Sequence, residues 1–249
     1  MKLNKKQIQL LLLKKHWKNL KDYDFFSWAN SFVNKNVEKI SDFEVKNPNQ
    51  EIAVVTLYND DISSFASFSE IDFAKYCQLH NYTLYTYRSE LEKKSFASWS
   101  KAQAILNHIN DHKYIVWLDS DIIIFNHNFR LENIINSTHK SILATKDIGG
   151  HCLINSGVLF FKNDSFSKKI LNYWQNYDCD KSALYSSGGD QEILCDILKS
   201  TDNYEAFLEI FEMSSFNTDP RLILPDTFIL HFMSYPKHLK DFFIRYWNS

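Results

Sequence analysis

Apolar runs recur along the chain, and most carry the β-branched and aromatic residues that suit buried strands. After the turn signal Asn47-Pro48-Asn49, the run Ile52-Ala53-Val54-Val55-Thr56-Leu57-Tyr58 predicts a first strand. Thr83–Tyr87 alternates in strand fashion, and Tyr114–Leu118 is apolar throughout. Further strands are predicted at Ile142–Thr145, Gly157–Phe161 and Phe228–Phe232. Helical spacing lies between them. One helix is expected from beyond the polar loop Asn59-Asp60-Asp61 through about His80. Another covers Trp99–Ile109, with Ala102, Ile105, Leu106 and Ile109 on one face, and two more lie near Phe166–Tyr177 and Gln191–Leu198. Residues 2–46 read as helical and polar-faced, and an aromatic, basic tail follows the last strand.

Strand and helix alternate three times in the first half, which predicts an α/β fold with a mostly parallel central sheet flanked by helices. The division expected is an N-terminal helical extension over 1–50 and a catalytic domain over 51–249. In such sheets ligands bind beyond the carboxyl ends of the strands. Every candidate residue below sits at such an end or in a nearby loop. Neither common Gly-rich phosphate loop occurs.

Composition narrows the partners. The chain has 249 residues, 45% of them apolar, and 20 Phe, 13 Tyr and 6 Trp, so it can bury a large core. A net charge of −2 supplies no global field for nucleic acid. Cys77, Cys152, Cys179 and Cys195 show neither C-x-x-C pairing nor zinc spacing, which suits a reducing compartment. The apolar run Ile8–Leu13 is bounded by Lys5-Lys6 and Lys14-Lys15, far short of the ~20 residues that span a bilayer. The expectation is a cytoplasmic protein. A basic amphipathic N-terminal helix leaves open a peripheral contact with the inner face of the membrane.

The strongest chemical signal is Asp119-Ser120-Asp121 at the end of Tyr114–Leu118. Two carboxylates one residue apart at the edge of a buried strand need a cation or hydrogen-bond donors. Hard divalent ions accept such oxygens together with substrate phosphates. A turn cluster is the plain alternative. His231, in Leu230-His231-Phe232, is either a satisfied core histidine or an imidazole ligand suited to Mn²⁺. Asn155-Ser156-Gly157 leads into an apolar strand, where it is either a turn or a close approach of backbone to ligand. Ser187-Gly188-Gly189-Asp190-Gln191 precedes an amphipathic helix, with Asp190 either an N-cap or presented to substrate.

In order along the chain, these pieces resemble glycosyltransferase family 34, the galactosyl-, xylosyl- and mannosyltransferases. Tyr76-Cys77-Gln78-Leu79-His80-Asn81-Tyr82 resembles its "Y-x-x-x-H-G-Y" segment, and Trp99-Ser100-Lys101 its "W-x-K" helix start. Trp117-Leu118-Asp119-Ser120-Asp121 is similar to "W-x-D-S-D", Asn155-Ser156-Gly157 to "N-[ST]-G", Asp190-Gln191 to "D-Q" and Leu230-His231-Phe232 to the late "H-F". The likeness runs from about Glu51 to Lys237. It departs where Asn81 replaces Gly, where Gly189 precedes Asp190 in place of Asp, and where Phe232-Met233-Ser234 lacks a small Gly.

The resemblance implies a GT-A fold binding a nucleotide-diphospho-sugar, with Mn²⁺ or Mg²⁺ as cofactor. Asp119, Asp121 and His231 would hold the metal. Lys101, Asp119, Ser120, Asn155 and Gly157 would line the donor site. Apart from the resemblance, the end of the first predicted strand adds Thr56 and Tyr58 to the donor site, with Tyr58 either stacking on the base or an ordinary core residue. Gln191, Asp190 and Lys237 would be catalytic: Gln191 beneath the anomeric carbon, Asp190 on sugar hydroxyls, and Lys237 on the diphosphate. The expected activity is a retaining hexosyltransferase moving a hexose, galactose foremost, from a UDP-sugar to an oligosaccharide or lipid-linked glycan acceptor in bacterial surface glycan assembly. Acceptor contacts are expected from Asn59–Ser69 and the region around Tyr185. A nucleotidyltransferase acting on a sugar phosphate and a non-catalytic glycan-binding protein stay open, and oligomeric state is not specified.

Overall fold

The computed structural model describes residues 41–91, 97–177 and 189–248. The helical reading of residues 2–40, the basic pairs up to Lys93-Lys94, Cys179, Tyr185 and Ser187-Gly188 lie outside the described residues. Nine strands are seen within them: β1 (Phe43–Lys46), β2 (Ile52–Leu57), β3 (Thr83–Tyr87), β4 (Tyr114–Leu118), β5 (Ile122–Ile124), β6 (Ile142–Thr145), β7 (Asn155–Lys162), β8 (Leu208–Phe211) and β9 (Ile229–His231). The α-helices are α1 (Ser63–His80), α2 (Lys101–Leu106), α3 (Glu132–Ile135), α4 (Ser165–Gln175), α5 (Asp190–Ser200) and α6 (Lys237–Asn248).

Seven strands form one sheet in the order β1-β3-β2-β4-β7-β6-β8. β3, β2 and β4 are parallel, β7 runs against β4 and β6, and β8 is parallel to β6. Five of the seven strands therefore point one way, and the ends of β2 and β4 face a common edge. β1 is antiparallel to β3 with Phe43 opposite Tyr87, so the tail of the stretch read as helical is strand instead. Its short alternation of exposed and half-buried residues is too brief to outweigh the polar helical pattern before it.

Alternate residues of the central strands feed two cores. Ala53, Val55, Ile115 and Trp117 pack with α2, α4 and α5 through Ala102, Ile105, Ile170, Trp174 and Leu194. Val54, Leu84, Val116 and Phe160 face the other way, onto Phe73, Tyr76 and Cys77 of α1. Burial on both faces explains why these strands are apolar throughout. Each buried Val, Leu, Ile or Phe contributes roughly 1.5–3 kcal/mol.

A third cluster sits at the carboxyl edge, where α6 brings Phe242, Phe243, Ile244 and Trp247 onto Phe65, Ile123, Phe125 and Phe232. The tail read as merely aromatic and basic is thus a helix, its apolar residues in the core. Asp72, buried in α1, ties this edge together by accepting from the Ile124 amide (2.7 Å), His127 Nε2 (2.8 Å) and Trp247 Nε1 (3.2 Å). The strand predicted at Phe228–Phe232 exists as β9, but it pairs with β5 in a separate two-stranded sheet.

α1 ends at Asn81, which adopts φ 62° and ψ 48° while its amide bonds the Cys77 carbonyl. That left-handed cap is where the family pattern has Gly, and Asn is the side-chain-bearing residue that best tolerates it. Asn81→Gly is expected to change stability by only a few tenths of a kcal/mol, whereas Asn81→Ala should cost about 1–2 kcal/mol. Chemical denaturation of the two variants measures the difference.

Candidate active site

The strand edge formed by β2, β4 and β7 opens into a cavity of about 560 Å³. Its floor is set by pairing registers. Ile122 lies opposite His231, and the Phe232 amide bonds the Asp121 carbonyl at 3.0 Å. Leu118 lies opposite Val158, and the Asp119 amide bonds the Gly157 carbonyl at 2.8 Å. Residues far apart in sequence therefore meet around Asp119-Ser120-Asp121.

His231 Nε2 stands 3.1 Å from Asp121 Oδ1 and 3.8 Å from Asp119 Oδ2. One ligand atom from each of Asp119, Asp121 and His231 falls within 4.8 Å of the others, a spacing that a single ion can bridge. Oxygen, oxygen and imidazole nitrogen form a donor set acceptable to Mn²⁺ or a neighbouring transition ion.

Asp119 is held from the other side. Its Oδ1 accepts from Trp117 Nε1 at 2.7 Å and lies 3.0 Å from Lys101 Nζ. Burial pushes the Asp119 carboxyl up, against the pull of Lys101 and His231. Burial acts the same way on Asp121, but His231 and Lys240 outweigh it and hold that carboxyl below the usual carboxylate range. Lys240 Nζ is 2.6 Å from Asp121 Oδ2.

Lys101 also reaches Asp190 at 3.0 Å and the Ser156 hydroxyl at 3.2 Å. Burial disfavours its ammonium, and Asp119 and Asp190 more than compensate, so it stays protonated well above the ordinary lysine range. Asp190 begins α5 rather than preceding it; Gly189 is the residue before the helix, at φ 82°. Gln191 Oε1 accepts from the Ser156 amide at 3.0 Å, and its Nε2 donates to Asp147 Oδ1 at 3.3 Å. Asp147 belongs to the loop that continues through Ile148, Gly149, His151 and Cys152 along the cavity wall.

Tyr58, Lys101, Asp119, Ser120, Asp121, Asn155, Gly157, Asp190, Gln191 and His231 all line the cavity. Tyr58 offers little face for stacking. It is 4% exposed, its hydroxyl donates to Glu70 Oε2 at 2.7 Å, and burial with Glu70 beside it pushes its pKa up. Thr56 is buried one residue short of the cavity wall, where its hydroxyl finds no partner among the described residues. Lys237 starts α6 outside the cavity wall and donates to the Asp61 carbonyl, whereas Lys240, one turn on, reaches inside. Lys240 and Asn217 were not singled out in sequence and belong here. Helical spacing in the tail, with apolar Phe242, Phe243 and Trp247 turned to the core, was the signal available for Lys240. Asn217 carried no signal.

The fold is of the GT-A type found in glycosyltransferases. The model of the galactosyl transferase GMA12/MNN10 family matches residues 49–140, which include Trp117-Leu118-Asp119-Ser120-Asp121, so the resemblance to glycosyltransferase family 34 stands. Among solved structures, a glycosyltransferase involved in glycosylation of the major capsid of the virus PBCV-1 superposes with a TM-score of 0.56 at 15% identity, covering 76% of this chain and 97% of that one. Glycosyltransferase GlyE of Streptococcus pneumoniae superposes at 0.49 and 15% identity, over 74% of this chain and 55% of that one. No curated protein matches the chain. Among the described residues, no helix is long and apolar enough to cross a membrane.

A Cβ placed on Gly157 would lie 2.1 Å from His231 Cε1 and 2.6 Å from its Nδ1. The imidazole is therefore seated on a position that admits no side chain. Gly157→Ala should displace the ring, with an overpacking cost of about 1–3 kcal/mol. Thermal unfolding of the variant beside the parent measures that cost.

Proposed function

We propose that the protein is a metal-dependent, retaining hexosyltransferase that moves a hexose from a UDP-sugar, galactose foremost, to a hydroxyl of an oligosaccharide or lipid-linked glycan. The observation that carries this reading is the convergence of Asp119, Asp121 and His231 at the floor of the cavity. Around that floor, three carboxylates (Asp119, Asp121 and Asp190) face two ammonium groups (Lys101 and Lys240), an excess of negative charge that favours a cation.

A divalent ion held by Asp119, Asp121 and His231 would supply electrostatic stabilisation to a departing diphosphate. Lys240 is the ammonium best situated to add to it, with Lys237 at the outer edge as a second. Lys101 holds Asp190 rigid, leaving that carboxylate to accept from sugar hydroxyls. The Gln191 amide, tied to Ser156 and Asp147, stands where it can support positive charge at the anomeric carbon. Retention follows if the acceptor hydroxyl attacks from the face the diphosphate leaves, its proton passing to the diphosphate oxygen. The acceptor would approach between Ile62 and Phe65 of the Asn59–Ser69 segment and the loop from Asp147 to Cys152, all of which border the cavity, and the enzyme would work in the cytoplasm.

Purified protein incubated with a panel of UDP- and GDP-sugars should slowly hydrolyse one UDP-hexose, releasing UDP only when Mn²⁺ is present. Chelation should abolish the release, and Asp121→Ala should lower it by about 10²–10³-fold. Pyrophosphate release from a nucleoside triphosphate and sugar phosphate would instead assign a nucleotidyltransferase. Undiminished turnover in Asp121→Ala would remove the metal assignment.

A further inference from the structure

Asn217 lies between the short 3-10 turn Met213–Ser215 and β9, fully buried, with every polar atom of its amide committed. Its Nδ2 donates to Asn155 Oδ1 at 2.8 Å and to Thr145 Oγ1 at 3.1 Å. Its Oδ1 is 2.9 Å from His231 Nδ1. The amide cannot turn over without setting its oxygen against the Asn155 oxygen. The orientation is therefore forced, and an oxygen faces His231 Nδ1.

An imidazole nitrogen facing an amide oxygen must carry the proton. With Nδ1–H donated to Asn217, neutral His231 has its lone pair on Nε2, and Nε2 is the atom 3.1 Å from Asp121 Oδ1. A lone pair facing a carboxylate is repulsive unless a cation lies between them. Such an outer partner commonly sets the tautomer and ring direction of a metal-binding histidine.

The same amide constrains Asn155. Asn155 Oδ1 accepts from both Asn217 Nδ2 and the Gly157 amide at 2.9 Å, which fills its two lone pairs. Among the described residues, its remaining polar group, Nδ2, meets only the Met233 sulfur at 3.6 Å, a weak acceptor. Asn155 can thus offer a ligand only N–H donors.

We propose that Asn217 is a positioning residue that locks His231 in the Nδ1–H tautomer for metal binding and locks Asn155 as a hydrogen-bond donor toward the ligand. This rests on the metal-site reading above. One buried amide thereby ties the cation site to the wall of the donor cavity, with no contact of its own to either ligand.

The test uses the full chain and Mn²⁺ alone, with affinity read from the free-ion electron paramagnetic resonance signal at about pH 8, where imidazole is ordinarily neutral. Asn217→Ala should weaken Mn²⁺ binding roughly 10- to 100-fold. Asn217→Asp, which keeps an acceptor for Nδ1–H but sets its second oxygen against Asn155 Oδ1, should recover only part of that loss. Nitrogen-15 spectra of the metal-free parent should show His231 protonated at Nδ1, a result that does not depend on metal or turnover. Parent-like affinity in Asn217→Ala with loss in Asp121→Ala would overturn the role of Asn217 and spare the metal site. Parent-like affinity in both would overturn the metal site and the inference with it. An Nε2–H tautomer would overturn the inference by itself.

Discussion

The carboxylates of Asp119 and Asp121 leave the end of a strand that has no exposed residue, and charge so placed persists only where opposite charge or donors meet it. Much of the surrounding architecture answers that demand. Trp117 turns its indole N–H back onto Asp119, Lys101 rises from the start of α2, and Lys240 descends from α6. His231 closes the remaining side from β9. Removing any one of these would leave a buried charge partly uncompensated, which commonly costs several kcal/mol. The carboxylate pair thus ties together elements from both halves of the chain.

Register, more than proximity in sequence, achieves this convergence. β5 follows directly from the Asp pair, so pairing it with β9 brings His231 beside Asp121. A slip of one residue would turn the imidazole to the opposite face. β7 performs the same service from the other side, because running antiparallel to β4 sets Asn155-Ser156-Gly157 at the carboxyl edge of the parallel strands. Gly157 is then required by contact with the His231 ring, not by its backbone conformation.

This also explains which parts were legible in the sequence. β2, β4 and β7 are buried on both faces, so apolar runs disclosed them, while alternation disclosed β3. The Asp pair was legible because charge at the end of such a run is costly. β1 and β8 lie at the sheet's edges, where half-buried residues blur the pattern. Lys237 was placed on the diphosphate by the family resemblance, yet helical geometry, invisible before α6 was recognised, gives the inward position to Lys240. Thr56 and Tyr58 show the converse limit. A strand end is a good place to look for ligand contacts, but only pleat and hydrogen bonding decide which residue faces the cavity. Asn217 could not have been found this way, because a buried amide has meaning only through partners at distant positions.

The polar groups of the floor are nearly all committed before any ligand arrives. Asn155 has given its oxygen to Asn217 and Gly157, Asp190 is tied to Lys101, and Gln191 is held at both ends. A floor so constrained suits preorganised electrostatics, where dipoles and charges need not reorient as the reaction proceeds. The rim is less constrained: there Asp147 accepts from the His151 amide and from Gln191 while Ile148 between them is 40% exposed. Asp147 belongs to both regions, so a change in rim shape can reach the Gln191 amide through a single carboxylate. Loop variation around a fixed floor is how such folds vary their substrates. In this protein the seam between what is fixed and what can vary runs through Asp147.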